Sequence, residues 1–288
     1  MVPVCIQFCE DALSPVEVRS VVQSLDEDRV QLVSLRGCRV SDQDFERICE
    51  SVGRSRSLLQ LHLSLGLVSG PDRTRDLARA LLRNRICLCL SLHGNALAAP
   101  DALVRSLALH PALLSLDLGD CSLSDQTLEQ VCGLLPPDGA RPGLKELTLS
   151  SNPAVSARGW TRLCVAVAHS SQLRVLRLDY NALGDRVAEM LAVAVASSRT
   201  LETLDLEGTG LTNTSAQNRI SPEIQTEIQD LLSETDDEPI RERRRQQPPV
   251  QRREAGSAVR PLSGNRTDPH TVLLTSGLGD SLLDETQM

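Results

Sequence analysis

Five histidines, nine cysteines and a scattering of Ser, Asp and Glu are the groups through which this 288-residue chain could do chemistry. His62 and His93 sit in two short apolar runs, with Cys89 near the second. Such a set could hold a metal ion or pair a thiol with an imidazole base. A zinc site needs four well-placed ligands, and neither Cys5-x3-Cys9 nor Cys87-x-Cys89 is accompanied by a ligand-spacing motif. His110, His169 and His270 are scattered, and no Ser/His/Asp set has supporting context. The stretches "GLGDS" and "GTGLTN" contain glycines but lack the lysine of a phosphate-binding loop and its strand-loop-helix order. No catalytic residue, metal or cofactor site is therefore expected, and the chain reads as a non-enzyme.

Composition narrows the class further. Hydrophobic residues make up 41% of the chain but aromatics only 1%, so the core must be built from Leu, Val, Ile and Ala. Many small repeated units suit that composition better than a sheet sandwich with an aromatic centre. A net charge of -8 argues against nucleic-acid binding. No apolar run is long enough to cross a membrane, and "MVPVCIQFCEDAL" lacks a basic start followed by an apolar run. Reduced thiols in the cytosol are the expected state.

Self-similarity is the dominant signal. "LLSLDLGDCSL", "LKELTLSSNPAV", "LRVLRLDYNAL" and "LETLDLEGTGL" share L-x-x-L-x-L-x-x-(N/C/T)-x-L, and weaker copies begin at Pro3, Val30, Leu58 and Cys87. The eight starts (3, 30, 58, 87, 113, 144, 173 and 201) lie 26 to 31 residues apart, at the upper end of the leucine-rich repeat range. L-x-L is a short strand with alternate side chains inward. The ninth position, occupied by Cys38, Asn95, Cys121, Asn152, Asn181 or Thr209, turns the chain and bonds exposed backbone; Gly66 departs from that column. Apolar i, i+4 pairs follow at a fixed offset: Val21 with Leu25, Ile48 with Val52, Val131 with Leu135, and Leu191 with Val195, while the longer unit shifts by one to Leu163 with Val167. Each marks the inner face of a helix. The expected fold is an α/β leucine-rich repeat solenoid, a horseshoe with parallel strands on the concave face and helices on the convex face.

The long period with Asn or Cys at the turn resembles the ribonuclease-inhibitor type of leucine-rich repeat. Segments such as "SLRGCRVSDQDFERIC", "LDLGDCSLSDQ" and "TSGLGDSLL" extend a resemblance to intracellular proteins of that type over nearly the whole chain. The resemblance implies an intracellular repeat protein and no activity.

Repeat proteins usually bind on the concave face. Positions 5, 7 and 8 of the later units place Asp117, Asp120, Arg177, Asp179, Tyr180, Asp205 and Glu207 there, an acidic surface with one Arg and the chain's only Tyr at its centre. Tyr and Arg often carry interface energy. Trp160, at a helix start, reads either as a second exposed contact or as a partly buried helix residue. Cys38 and Cys121 in the turn column, and Cys49, Cys132 and Cys164 on helix flanks, read as structural. The expected function is a monomeric, cytoplasmic protein-interaction module or scaffold whose partner carries a basic patch. The alternative is a regulator of a partner enzyme, such as an inhibitor or GTPase activator.

Residues 1–232 form the expected repeat domain and 233–288 a disordered tail. The Arg243–Arg245 and Arg252–Arg253 clusters offer a second, nuclear, reading of localisation. Leu274, Leu278 and Leu282 suggest a short partner-binding helix within 271–288. Asn218-x-Ile220 looks like a repeat turn only nine residues after Thr209, which points to an internal deletion near 217–218, with a degenerate terminal repeat carrying a chance Asn-x-Ile as the alternative. With that deletion, eight strands are expected, the last within 201–206. A helix near 222–232, capped by Ser221, would then close the core.

Overall fold

Alternation along each L-x-L core sets the architecture, because one set of side chains points into the solenoid and the other into the concavity. The computed structural model describes residues 4–136 and 143–211, together with the backbone of 273–275. Its strands are β1 (Val4–Cys9), β2 (Val30–Arg36), β3 (Gln60–Ser64), β4 (Cys89–Ser91), β5 (Ser115–Asp117), β6 (Glu146–Thr148), β7 (Val175–Arg177), β8 (Thr203–Asp205) and β9 (Leu273–Thr275). Between them lie α1 (Pro15–Asp26), α2 (Asp42–Arg54), α3 (Pro71–Arg83), α4 (Asp101–Ala108), α5 (Asp125–Cys132), α6 (Ala157–His169) and α7 (Gly184–Ser197). The chain divides into one unit of residues 1–219 and 272–288 and a second of 220–271. All described residues belong to the first.

The strands pair in chain order as one parallel sheet. A single column runs Ile6, Val33, Leu61, Leu90, Leu116, Leu147, Leu176 and Leu204 across β1 to β8. From Val33 to Leu204 that column is buried to 2% exposure or less. Two further columns, Leu58–Cys87–Leu113 and Leu63–Leu92–Leu118, stack the same way. The solenoid is thus the predicted one, with a core of aliphatic layers.

The turn after each strand has two parts. Position 8 is left-handed in every repeat: φ is 59° at Glu10, 65° at Gly37, 59° at Leu65, 72° at Gly94, 50° at Asp120, 53° at Ser151, 57° at Tyr180 and 63° at Gly208. At Cys38, Asn95, Cys121, Asn152, Asn181 and Thr209 position 9 then enters the core and bonds backbone that water cannot reach. Asn152 Nδ2 donates to the Leu118 and Leu149 carbonyls at 3.0 Å, while its Oδ1 accepts from Cys121 N and Leu123 N. Asn95 does the same for Leu63 O, Leu92 O and Val68 N, so it serves the repeat in which Gly66 carries no side chain. Cys121 Sγ contacts Leu92 O at 3.1 Å, a weaker version of the same role.

Three or four residues beyond the turn, Ser14, Ser41, Ser124 and Ser156 cap α1, α2, α5 and α6 by accepting from first-turn amides. Glu17 completes a capping box with Ser14, whose hydrogen bonds hold its carboxyl below the usual range. The predicted inner-face pairs are buried on α1, α2 and α6, and so are Val131 and Leu135. On α7 the stripe is Met190, Leu191 and Ala194, and Val195 is only half-buried.

Two expectations change. Trp160 is 1% exposed, so it is neither an exposed contact nor partly buried. The reason is the tight approach of the α6 start to α5: a Cβ on Gly159 would meet Asp125 Oδ1 at 2.5 Å and Val155 Cγ1 at 2.8 Å, and the next residue faces the core. The sheet also has nine strands rather than eight, because Leu273–Thr275 pairs in parallel with β8. Leu274 therefore lies in a strand, not in the helix suggested by its spacing from Leu278 and Leu282, since an open sheet edge offers a backbone ladder that a free glycine-containing helix lacks. The helix expected near 222–232, the domain boundary at 232 and the Arg-rich clusters lie outside the described residues.

Candidate functional site

Positions 3, 5 and 7 of the strands line the concavity, and register fixes their neighbours. The position-5 row runs Ser34, His62, Ser91, Asp117, Thr148, Arg177 and Asp205. Its middle and its C-terminal end differ in kind. The middle is a polar cluster around His62, Cys89, Ser91, His93 and Asp117, and the C-terminal end is acidic.

The cluster brings together residues that could form a nucleophile and base, which the spacing did not foretell. Ser91 Oγ donates to Asp117 Oδ2 at 2.9 Å, and His93 Nδ1 stands 3.8 Å from Asp117 Oδ1. In a hydrolase the serine proton passes to the imidazole and the carboxylate supports the ring. Here the serine bonds the carboxylate directly, so the imidazole has no proton to take. Gly119 also donates its amide to Asp117 Oδ1 at 2.9 Å, and a Cβ there would meet His93 Nδ1 at 2.6 Å. The glycine makes room for the ring and the carboxylate is held as an acceptor.

Cys89 Sγ lies 3.8 Å from His62 Nε2. Burial pushes the Cys89 thiol up and the His62 imidazole down, which is the reverse of a thiolate–imidazolium pair. Among the described residues no group of three or more His, Cys, Asp or Glu is placed to hold a metal ion. Six other thiols are structural in environment: Cys38, Cys49 and Cys164 are buried, Cys132 is half-buried, and desolvation pushes Cys87, Cys121, Cys132 and Cys164 up to about 12.

All seven residues expected at the interface lie on the concave side or its rim. Asp120, Arg177, Tyr180 and Glu207 are exposed, and Asp117, Asp179 and Asp205 are half-buried. Each half-buried carboxylate is fixed by a neighbour. Ser150 Oγ donates to Asp179 Oδ1 at 2.5 Å, and Glu207 N donates to Asp205 Oδ1 at 3.1 Å. Tyr180, 56% exposed, donates its hydroxyl to Glu207 Oε1 at 2.7 Å. That bond and the glutamate charge raise the tyrosine pKa above its ordinary value. Arg177 Nη1 reaches Thr148 Oγ1 at 3.5 Å, and among the described residues it forms no ion pair.

One acidic residue was missed. Glu146 on β6 is exposed and accepts from Ser115 Oγ at 3.2 Å. Strand alternation alone could have found it, since position 3 faces the same way as position 5. With it, six carboxylates face one guanidinium over four strands.

No helix among the described residues is long and apolar enough to cross a membrane. No protein-family model matches the chain. It is 52% identical to leucine-rich repeat-containing protein 73 of Rattus norvegicus over 320 residues, and 52% identical to that of Homo sapiens over 321. Each match covers 100% of this chain and 100% of the relative. The shorter alignment exceeds this chain by 32 positions, from 320 against 288, so the relative carries sequence without a counterpart here. The deletion expected near 217–218 would shorten the chain in the same direction. A solved structure, leiomodin-1 actin-binding site 2, aligns with a TM-score of 0.40 at 16% identity, over 62% of this chain and 100% of that one. Repeat architecture and relatives named for leucine-rich repeats support a protein-interaction module.

Proposed function

The chain belongs to the family of leucine-rich repeat-containing protein 73, and from that premise we propose that it is a non-enzymatic scaffold that binds a protein partner on its concave face. The partner presents a basic patch to Asp117, Glu146, Asp179, Asp205 and Glu207. Carrying this reading is the arrangement from the middle of the face to its C-terminal end, where carboxylates are held in fixed positions by Ser91, Ser150, Tyr180 and backbone amides. Preorganised acceptors meet guanidinium and ammonium groups without a large ordering cost. Tyr180 adds an exposed aromatic ring beside them, the residue type that most often anchors an interface. The protein acts as a monomer in the cytoplasm in this reading.

Affinity capture from cell extract tests it with three full-length forms. These are the wild type, a concave reversal (Asp117, Asp179, Asp205 and Glu207 to Lys) and a convex reversal (Glu46 and Glu50 to Lys). Partners retained by the wild type and the convex reversal, and lost from a concave reversal with native circular dichroism, are the expected result. An identical partner set for all three would overturn the concave-face assignment.

A further inference from the structure

The ninth strand is the observation that no repeat accounts for. Strands β3 to β8 arrive one repeat after another, their central leucines at 61, 90, 116, 147, 176 and 204. The next residue in that ladder is Leu274, seventy positions beyond Leu204. It nevertheless continues the register without a slip: Thr203 pairs with Leu273, Leu204 with Leu274 and Asp205 with Thr275. The pairing is as long as each of those from β3–β4 to β7–β8.

We propose that the outer edge of β8 is a strand-accepting surface and that the chain fills it in cis with its own segment Leu273–Thr275. A parallel sheet ends in a row of unpaired amides and carbonyls, and such an edge templates any extended chain that reaches it. The segment that reaches it carries leucine at the position where every strand from β3 to β8 carries leucine. Threonine follows in the concave row next to Asp205. The partner that fits this edge is therefore an extended peptide running parallel to β8, with leucine at its centre. Three residue pairs make a weak strand when free, but a covalent tether supplies an effective concentration of order millimolar. The tail thus keeps the edge occupied against dilute competitors and yields it to a strand that binds more tightly.

Hydrogen exchange on the full-length wild type is the first test. Amides of 273–275 and of β8 should exchange at least tenfold more slowly than in an unstructured peptide, and equally at protein concentrations tenfold apart. Exchange of 273–275 at the free-peptide rate would overturn the proposal. Protection that falls on dilution, together with a dimer by light scattering, would place the strand in a second copy and overturn the cis assignment.

The second test uses the full-length Thr275→Pro variant, in which the ring removes an amide that the parallel register turns toward β8. A fluorescent synthetic peptide of residues 268–282 should bind this variant at least tenfold more tightly than the wild type. The same peptide carrying the proline should not bind. Equal binding to both proteins, or no binding to a variant whose β1–β7 amides remain protected, would overturn the proposal.

Discussion

The ring of Tyr180 lies over the backbone of Gly208 on the next repeat: a Cβ built on Gly208 would stand 2.8 Å from Tyr180 Cδ1. The same pairing recurs where Leu65 covers Gly94, at 2.7 Å from Leu65 Cδ2. In the left-handed column a bulky residue at one turn and glycine at the next are one packing decision. Gly208→Ala should therefore incur the left-handed penalty of about 1–2 kcal/mol and also displace Tyr180. Gly66→Ala, at φ 81° with open space around it, should incur only the first. Thermal unfolding of the two variants measures the difference; equal losses would mean that the ring moves aside freely.

Tyr180 is the chain's only tyrosine, so its ionisation can be followed by near-ultraviolet absorbance without assignment. Its hydroxyl bond to Glu207 and the adjacent charge favour the protonated form, and the midpoint should lie above 10. Because the folded value is raised, the stabilisation from this bond is present below the ordinary tyrosine range and is lost as pH rises through the raised midpoint. Glu207→Ala should return the midpoint toward 10. An unchanged midpoint would show that Glu207 is not its cause.

Asn152→Ala should cost roughly 2–4 kcal/mol, because it orphans two buried amides and the Leu118 carbonyl together, while Leu149 O keeps Asn181 Nδ2. Asn152→Cys should cost less, since Cys121 fills the same column one repeat earlier with its thiol against Leu92 O and Gly119 O. Urea denaturation of both variants provides the ranking, and alanine matching cysteine would count against a hydrogen-bonding role for this column.

Cys5 and Cys9 are exposed, whereas Cys38, Cys49, Cys87, Cys121 and Cys164 are buried. Alkylation of the native protein at neutral pH should modify the first pair quickly and the five buried thiols only after unfolding, as read by peptide mass spectrometry. Rapid labelling of Cys49 or Cys164 in the native state would show that α2 and α6 open locally. Their thiols are buried against neighbouring helices and pushed up by desolvation, so accessibility and thiolate formation both require that opening.

The sequence by itself determined the repeat: its period, the L-x-L strands, the turn column and the helix faces follow from spacing, because one repeated unit meets the same neighbours each time. It also placed the five candidates at positions 5 and 7 (Asp117, Arg177, Asp179, Asp205 and Glu207) on the concave side, since strand alternation leaves only two directions for a side chain. Tertiary structure decided what spacing does not encode. Burial of Trp160 depends on how closely Gly159 lets α6 approach α5. The contact of Asp117 with Ser91 and His93 joins separate repeats, as does the bond from Tyr180 to Glu207. The pairing of Leu273–Thr275 with β8 crosses two repeat lengths of chain to reach an edge. Periodicity describes each unit against its neighbours, whereas an edge exists only once the units have stacked and one of them is last.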